Sequence, residues 1–219
     1  DARHLRRRDL VVPDSIGSEL DYSPFPDSVG ALADVPKFVA LSRRVQAFGA
    51  YEYGKLVRWG PTSTGKQDTP TDSGLVFTNW RKRLTYSTVD PAWELNWYFN
   101  LIAVKGVAFH QYELPGRPAS HGCVRLLEAD AQWMFGWADE WVPGRGSEVK
   151  RYGTPVLIFG DWAYNLSAPW LGLVEGDSRA RVSEWELAAA LAPNLQTIVD
   201  RAVLPATLFA AAEVAASQS

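Results

Sequence analysis

The sequence of 219 residues holds a single cysteine, Cys123. One thiol excludes an internal disulfide and any multi-thiolate metal site, and with them stapled miniature folds and zinc fingers. It also leaves no second sulfur to resolve a disulfide, which argues against thiol oxidoreductase chemistry. Long hydrophobic runs are missing too. Nothing approaches the ~18 apolar residues of a membrane span, and the most apolar region, 188–215, is interrupted by Pro193, Asn194, Asp200, Arg201 and Pro205. No stable membrane insertion is expected of it. A strong charge of one sign is likewise lacking: the formal net charge is -3, which gives no electrostatic footprint for nucleic acid. The one basic cluster, Arg3 to Arg8, lies at the start of the sequence, where a solvated terminus accounts for it.

What is present is an ordinary globular composition, 47% hydrophobic and 21% charged, long enough to bury a real core in one domain with attachments. The sequence begins at Asp1 without methionine, as it would after removal of a signal peptide or after trimming, and export is an expectation only. Residues 1–34 carry Pro13, Pro24 and Pro26 among Asp, Ser and Gly and read as an irregular arm. From Phe38 to Ser63 two extended runs, FVALSRRVQAF and KLVRWGPTS, flank a turn at Gly54 and predict a hairpin. The stretch Thr62 to Gly74 is a loop by composition. Its Gly65-Lys66 lacks the glycine spacing and the following Ser or Thr of a phosphate-binding loop. Leu75 to Asn79 and Leu101 to Phe109 read as strands, Glu128 to Val142 as a helix with acidic residues at its start, and Thr154 to Phe159 as a closing strand. Beyond Asp161 the pattern turns helical, with Ser183 and Glu186 forming a capping box. Ten tryptophans are many for one domain. Core packing explains most of the rings between Arg81 and Gly106, and one or two of Trp93, Trp97 and Tyr98 are candidates for substrate contact.

The chemistry concentrates in HQYELPGRPASHGCVRL, from His110 to Leu126, which holds two of the three histidines and the only cysteine. A thiol acts as a nucleophile only when ionised, and a histidine within hydrogen-bond reach is the common means of ionising it near neutral pH. Both His110 and His121 are candidates. His121 lies two residues before Cys123, on the same face if the chain is extended, whereas His110, at the end of the apolar run, needs the turn-rich PGRPAS to bring the chain back beside it. Zinc would require three or four ligands, and His4 is too remote to join His110, His121 and Cys123.

Ser120-His121-Gly122-Cys123-Val124-Arg125 resembles the SHGC(I/V)R signature of the L,D-transpeptidase catalytic domain, also called YkuD-like. The resemblance extends through an opening hairpin, an STGK turn at Ser63-Thr64-Gly65-Lys66, a T-P-x-G element, an apolar strand ending in the upstream histidine and a GTPV strand at Gly153 to Val156, in order from about Phe38 to Gly160. It implies a mostly β (α+β) fold: a curved, sandwich-like catalytic domain over 35–160, a helix beside the catalytic loop, the arm 1–34 before it and a helical extension 161–219 after it. It implies Cys123 as nucleophile, His110 as its base and the Gln111 carbonyl as the group that orients the imidazole. Backbone N–H groups around Gly122 and Cys123 would hold the oxyanion, with Ser120 and His121 shaping the site and Arg125 pairing with a substrate carboxylate or bracing the loop. The implied reaction is transfer of a peptidoglycan tetrapeptide stem through a thioester to a second stem, giving 3-3 cross-links in the periplasm or cell wall, with carbapenem-type β-lactams as inhibitors. Water as acceptor would make the same site an L,D-carboxypeptidase, and another cell-envelope acyl group is a further alternative. The non-enzyme alternative is a wall-binding module, against which intact Cys123 and His110 argue. No metal or organic cofactor is implied. Two features depart from the family pattern: Asp72 replaces the proline in Thr71-Asp72-Ser73-Gly74, and the interval from His110 to Ser120 is short. Both point to a reshaped loop over the cleft.

Overall fold

Side chains alternate between faces along a strand, so a strand apolar at every position needs cover on both sides. FVALS is such a strand, and the computed structural model, which describes residues 15–146, 149–173 and 176–202, provides both covers. The basic cluster at Arg3 to Arg8, His4, Pro13 and the sequence beyond 202 lie outside the described residues.

The strands are β1 (Phe38–Ser42), β2 (Ala47–Glu52), β3 (Lys55–Ser63), β4 (Gly74–Phe77), β5 (Arg81–Tyr86), β6 (Glu94–Ile102), β7 (Val107–Gln111), β8 (Val124–Leu126), β9 (Val142–Pro143), β10 (Val149–Arg151) and β11 (Pro155–Phe159). The helices are α1 (Glu128–Trp137), α2 (Glu184–Leu191) and α3 (Leu195–Ala202). Nine strands form one sheet in the order β4-β11-β1-β2-β3-β8-β7-β6-β5, and β9 and β10 pair separately. The β1–β11 and β7–β8 pairs are parallel. Strand β3 joins the two halves: residues 55–61 pair with β2, while Thr62 and Ser63 pair with Leu126 and Arg125 of β8.

One core lies between the halves and α1. Val39 and Leu41 of β1, Phe48 of β2, Phe99 of β6, Phe109 of β7, Val124 and Leu126 of β8, Met134 of α1 and Ile158 of β11 meet there. The opposite face of the first half carries Phe38, Ala40, Tyr51, Leu157 and Phe159, which form a second core with Phe25, Leu32 and Val35 before the sheet and Val182, Leu187, Leu191 and Ile198 after it. Gly49 makes room for the first of these, because a Cβ there would sit 2.9 Å from the Phe25 ring. The two flanking segments also meet, with Val182 N–H donating to the Pro24 carbonyl at 2.7 Å. The fold is mostly β, as the family resemblance implies, with three α-helices among the described residues.

Four expectations need correction. FVALSRRVQAF is two strands, because Arg43 to Gln46 turn, Gln46 at φ 50°. Both arginines leave for partners elsewhere: Arg44 to Glu186 and the carbonyls of Arg179 and Arg181, Arg43 to Asp161 and the carbonyls of Gly160 and Thr71. The run Leu101 to Phe109 is also two strands, reversed by a 3-10 turn over Ala103–Lys105 and by Gly106 at φ 64°, with Val104 fully outside. Helix α1 stops at Trp137, not Val142. Thr78 and Thr154 bind the backbone of Asp139, and the Arg81 guanidinium caps the carbonyls of Phe135 and Ala138. At α2, Ser183 accepts from Glu186 N–H at 3.1 Å, while the Glu186 carboxylate pairs with Arg44 instead of closing the box.

Leu187 is fully buried in the second core, and Trp185, on the same helix, is 80% exposed. Leu187→Ala is expected to lower the unfolding free energy by about 2–5 kcal/mol in a urea titration, and Trp185→Ala to change it by no more than about 0.5 kcal/mol. Equal, small effects would show that the C-terminal helices add nothing to the stability of the sheet.

Candidate active site

Strand β7 puts Phe109 in the inner core and Ala108 with His110 on the opposite face. The neighbouring β6 would not present a matching face if it alternated regularly. A bulge, seen as a register shift between Asn96 and Phe99 with Trp97 at φ 55°, re-phases it. Leu95 and Tyr98 thereby face Ala108, while Trp97 and Phe99 turn inward against Phe135. Of the three candidate aromatics, Trp93 and Tyr98 line the resulting cleft, and Trp97 packs in the wall under the Arg83 guanidinium.

The cleft has a volume of about 270 Å³, and His110, Cys123, Ser120, His121 and Arg125 all line it. Parallel pairing sets Phe109 beside Val124 and His110 beside Arg125, with Cys123 entering the head of β8. His110 is 3% exposed. Its Nδ1 lies 3.0 Å from the Gln111 carbonyl oxygen, which can only accept, so Nδ1 carries the proton and Nε2 keeps its lone pair. Burial pushes the imidazole pKa down to about 4, against the Gln111 bond, which raises it, and with the Arg125 charge, which lowers it further. Burial also pushes the Cys123 thiol up, more than the Ala108 N–H and the Arg125 charge bring it down. The resting pair is therefore thiol and neutral imidazole.

Ser120 spans the turn before Cys123: its hydroxyl donates to the Cys123 carbonyl and accepts from Gly122 N–H at 3.1 Å. Gly122 adopts φ 106° with space around it, so backbone conformation, not crowding, selects glycine there. His121 is exposed and its ring lies 5.5 Å from Trp93. Arg125 stacks on Tyr112 at 4.5 Å and reaches the Glu113 carbonyl at 3.5 Å.

A model of the YkuD family, the L,D-transpeptidase catalytic domain, matches residues 38–158. The chain belongs to this family. Similar solved structures include L,D-transpeptidases from Stackebrandtia nassauensis (21% identity, 58% of this chain and 57% of that one, TM-score 0.47) and Mycobacterium smegmatis (18%, 57% and 59%, 0.46). Mycobacterium tuberculosis L,D-transpeptidase 1 is another (20%, 57% and 62%, 0.43). The match spans less than two thirds of each of those chains. Among curated proteins there is no match.

Within this L,D-transpeptidase domain, Gln46, which no motif singles out, and Thr64, Gly65 and Thr71 of the two motif turns hold the loop that carries Cys123. The buried Gln46 amide donates to Thr64 Oγ1 and accepts from Thr64 N–H, both at 2.8 Å. The Thr64 carbonyl takes the N–H groups of Ala119 and Ser120. Thr71, fully buried, donates its hydroxyl to the Gly122 carbonyl at 2.8 Å and accepts from Gly65 N–H at 2.9 Å. Gly65 is needed there, since a Cβ would lie 2.1 Å from the Thr69 carbonyl oxygen. The only signal of Gln46 in the sequence is a polar residue inside an apolar run. Asp72, at the family's proline position, pairs with Lys105 of the β6–β7 turn. Among the described residues no group of three or more His, Cys, Asp and Glu is placed to hold a metal.

Thr71→Val keeps the shape but strands two buried backbone groups, an expected loss of about 1–3 kcal/mol in chemical unfolding; no loss would mean that the loop does not depend on this bridge. His110, neutral when folded, binds its proton more weakly than in the unfolded chain, so its contribution to stability is intact above about pH 6.5 and lost as pH falls towards its folded value. The stability difference between wild type and His110→Asn should therefore shrink by on the order of 3 kcal/mol from about pH 7 to about pH 4. A difference that does not vary with pH would place His110 in contact with solvent.

Proposed function

We propose that the protein is a cysteine-dependent L,D-transpeptidase acting on peptidoglycan tetrapeptide stems, exported to the periplasm or cell wall. The observation that carries this reading is a buried neutral imidazole, fixed by Gln111 through Nδ1, in one cleft with the only thiol, inside a domain of the YkuD family. In the first half-reaction the Cys123 proton passes to His110 Nε2 and the sulfur attacks the carbonyl at the L-centre of the third residue. The amide C–N bond breaks, the departing D-alanine amine takes the proton from His110, and a thioester remains. In the second, the side-chain amine of another stem gives a proton to His110 and attacks the thioester, the C–S bond breaks, and the Cys123 sulfur takes the proton back from His110 as the 3-3 cross-link forms. Water in place of the amine gives a carboxypeptidase.

The oxyanion of each tetrahedral intermediate falls to the Cys123 N–H and its neighbours. Gly122 N–H would join only by leaving Ser120 Oγ, to which it is bound at 3.1 Å. Arg125, cationic and in the cleft, suits a stem carboxylate, and Trp93 and His121 offer ring faces at the same opening.

Intact-protein mass spectrometry after incubation with purified disaccharide-tetrapeptide tests the reading. Wild type should gain the mass of the stem less D-alanine, Cys123→Ala should gain nothing, and an added amine acceptor should discharge the adduct into a cross-linked dimer faster than water does. A folded wild type whose thiol alkylates normally but which forms no adduct and releases no D-alanine would rule out tetrapeptide donors.

A further inference from the structure

The Cys123 sulfur sits between two backbone groups of the β6–β7 hairpin with opposite preferences. The Gly106 carbonyl oxygen, 3.6 Å from Sγ, can only accept and so retains the thiol proton. The Ala108 N–H can only donate and so favours the thiolate. The Gly106 carbonyl takes a second hydrogen bond, from the Tyr98 hydroxyl at 3.2 Å. The direction of that bond is set from behind. Asn79 Nδ2 donates to Asn100 Oδ1 at 2.8 Å, and Asn100 Nδ2 donates to the Tyr98 oxygen at 3.0 Å, which leaves the Tyr98 proton for Gly106. Asn79, Asn100 and Tyr98 are all buried, where an unsatisfied polar group is costly and a satisfied chain is strongly directional.

We propose that Tyr98 is a positioning residue for the nucleophile: its hydroxyl occupies the Gly106 carbonyl, weakens that carbonyl's hold on the Cys123 proton and so eases transfer of the proton to His110. The proposal rests on Cys123 as nucleophile and is independent of which acyl donor the cleft takes. Tyr98 and Cys123 lie close enough for charge on the sulfur to oppose ionisation of the phenol, a smaller effect than burial, which dominates there. The other charged and titratable groups sharing the cleft are His110, Tyr112, His121 and Arg125, Lys105 of the turn and Tyr86 of β5. Replacing Tyr98 by phenylalanine leaves all of them in place and keeps the ring packed at 5.0 Å on Trp80.

Because Cys123 is the only cysteine, the rate of alkylation by iodoacetamide as a function of pH reports its ionisation alone. In Tyr98→Phe the midpoint of that profile should rise by about half to one pH unit, with the plateau rate at high pH within about twofold of wild type. A rate lowered equally at every pH, an unchanged midpoint, or a midpoint that falls would overturn the proposal and leave Tyr98 a packing residue. Failure of the stem-peptide reading would look different: no acyl adduct from tetrapeptide, with the shifted alkylation profile intact.

Discussion

The site depends on a parallel contact between two short strands. An antiparallel neighbour can follow after a two-residue turn, but a parallel one requires the chain to travel back the full length of the strand, ordinarily over a dozen residues or more and through a helix. Between β7 and β8 there is room for about that minimum, and the connection contains no helix. It is held instead by bonds to the loop that follows β3: Ser63 Oγ to the Arg117 carbonyl, Ala119 and Ser120 N–H to Thr64, and Lys66 N–H to Ser120. Without that second loop nothing would return Cys123 to the side of His110. The STGK turn is therefore part of the site although none of its side chains lies in the cleft. Gln46, Thr71 and Arg43, which brace it from behind, connect the loop that carries Cys123 to the turn between β1 and β2.

The same economy explains why segments on both sides of the family domain pack against its sheet. The first half of the sheet is apolar on both faces, so the catalytic domain alone would leave Phe38, Tyr51, Leu157 and Phe159 uncovered. Residues near Phe25 and Leu32 supply one part of the cover and α2 and α3 the other, tied by Arg44 to the turn whose neighbour, Arg43, binds the Thr71 carbonyl. Packing at the back of the sheet and order at the loop that carries Cys123 are thus joined through adjacent arginines.

Much of this was legible in the sequence, and what was hidden has a physical pattern. Strands β3, β4 and β11 and the body of α1 follow from apolar periodicity, and Cys123 stands out as one cysteine among turn residues, whereas β5, β8, β9 and β10 leave no such pattern. Turns inside apolar runs were not legible. FVALSRRVQAF and LIAVKGVAF satisfy a strand pattern along their whole length, and only the long-range partners of Arg43 and Arg44, or the exposure of Val104 beside Gly106, reveal the reversal. The β6 bulge was equally hidden, since regular alternation would have put Leu95 and Trp97, not Leu95 and Tyr98, on one face. Gln46 reaches the loop through Thr64, far away in the sequence, and no local pattern marks such a residue, while the motif that contains Thr71 does not reveal its bond to Gly122.

The electrostatics of the cleft constrain how the proton moves. Burying a thiolate and an imidazolium together would cost more than burying the neutral pair unless hydrogen bonds and the Coulombic attraction offset the desolvation. Here burial lowers the imidazole and raises the thiol, so the ion pair is not the resting state, and transfer of the proton ahead of attack runs uphill. On the transpeptidase reading, attack and proton transfer are then best coupled. As the proton leaves, negative charge passes through the sulfur onto the substrate carbonyl oxygen, where backbone N–H groups can receive it, and His110 holds the positive charge only until the departing amine removes it. A histidine with so low a basicity is a weak base but a strong acid once protonated. On the same reading its larger contribution falls at amine departure, the step that distinguishes an amide from an ester and the one for which a cysteine nucleophile needs the most help.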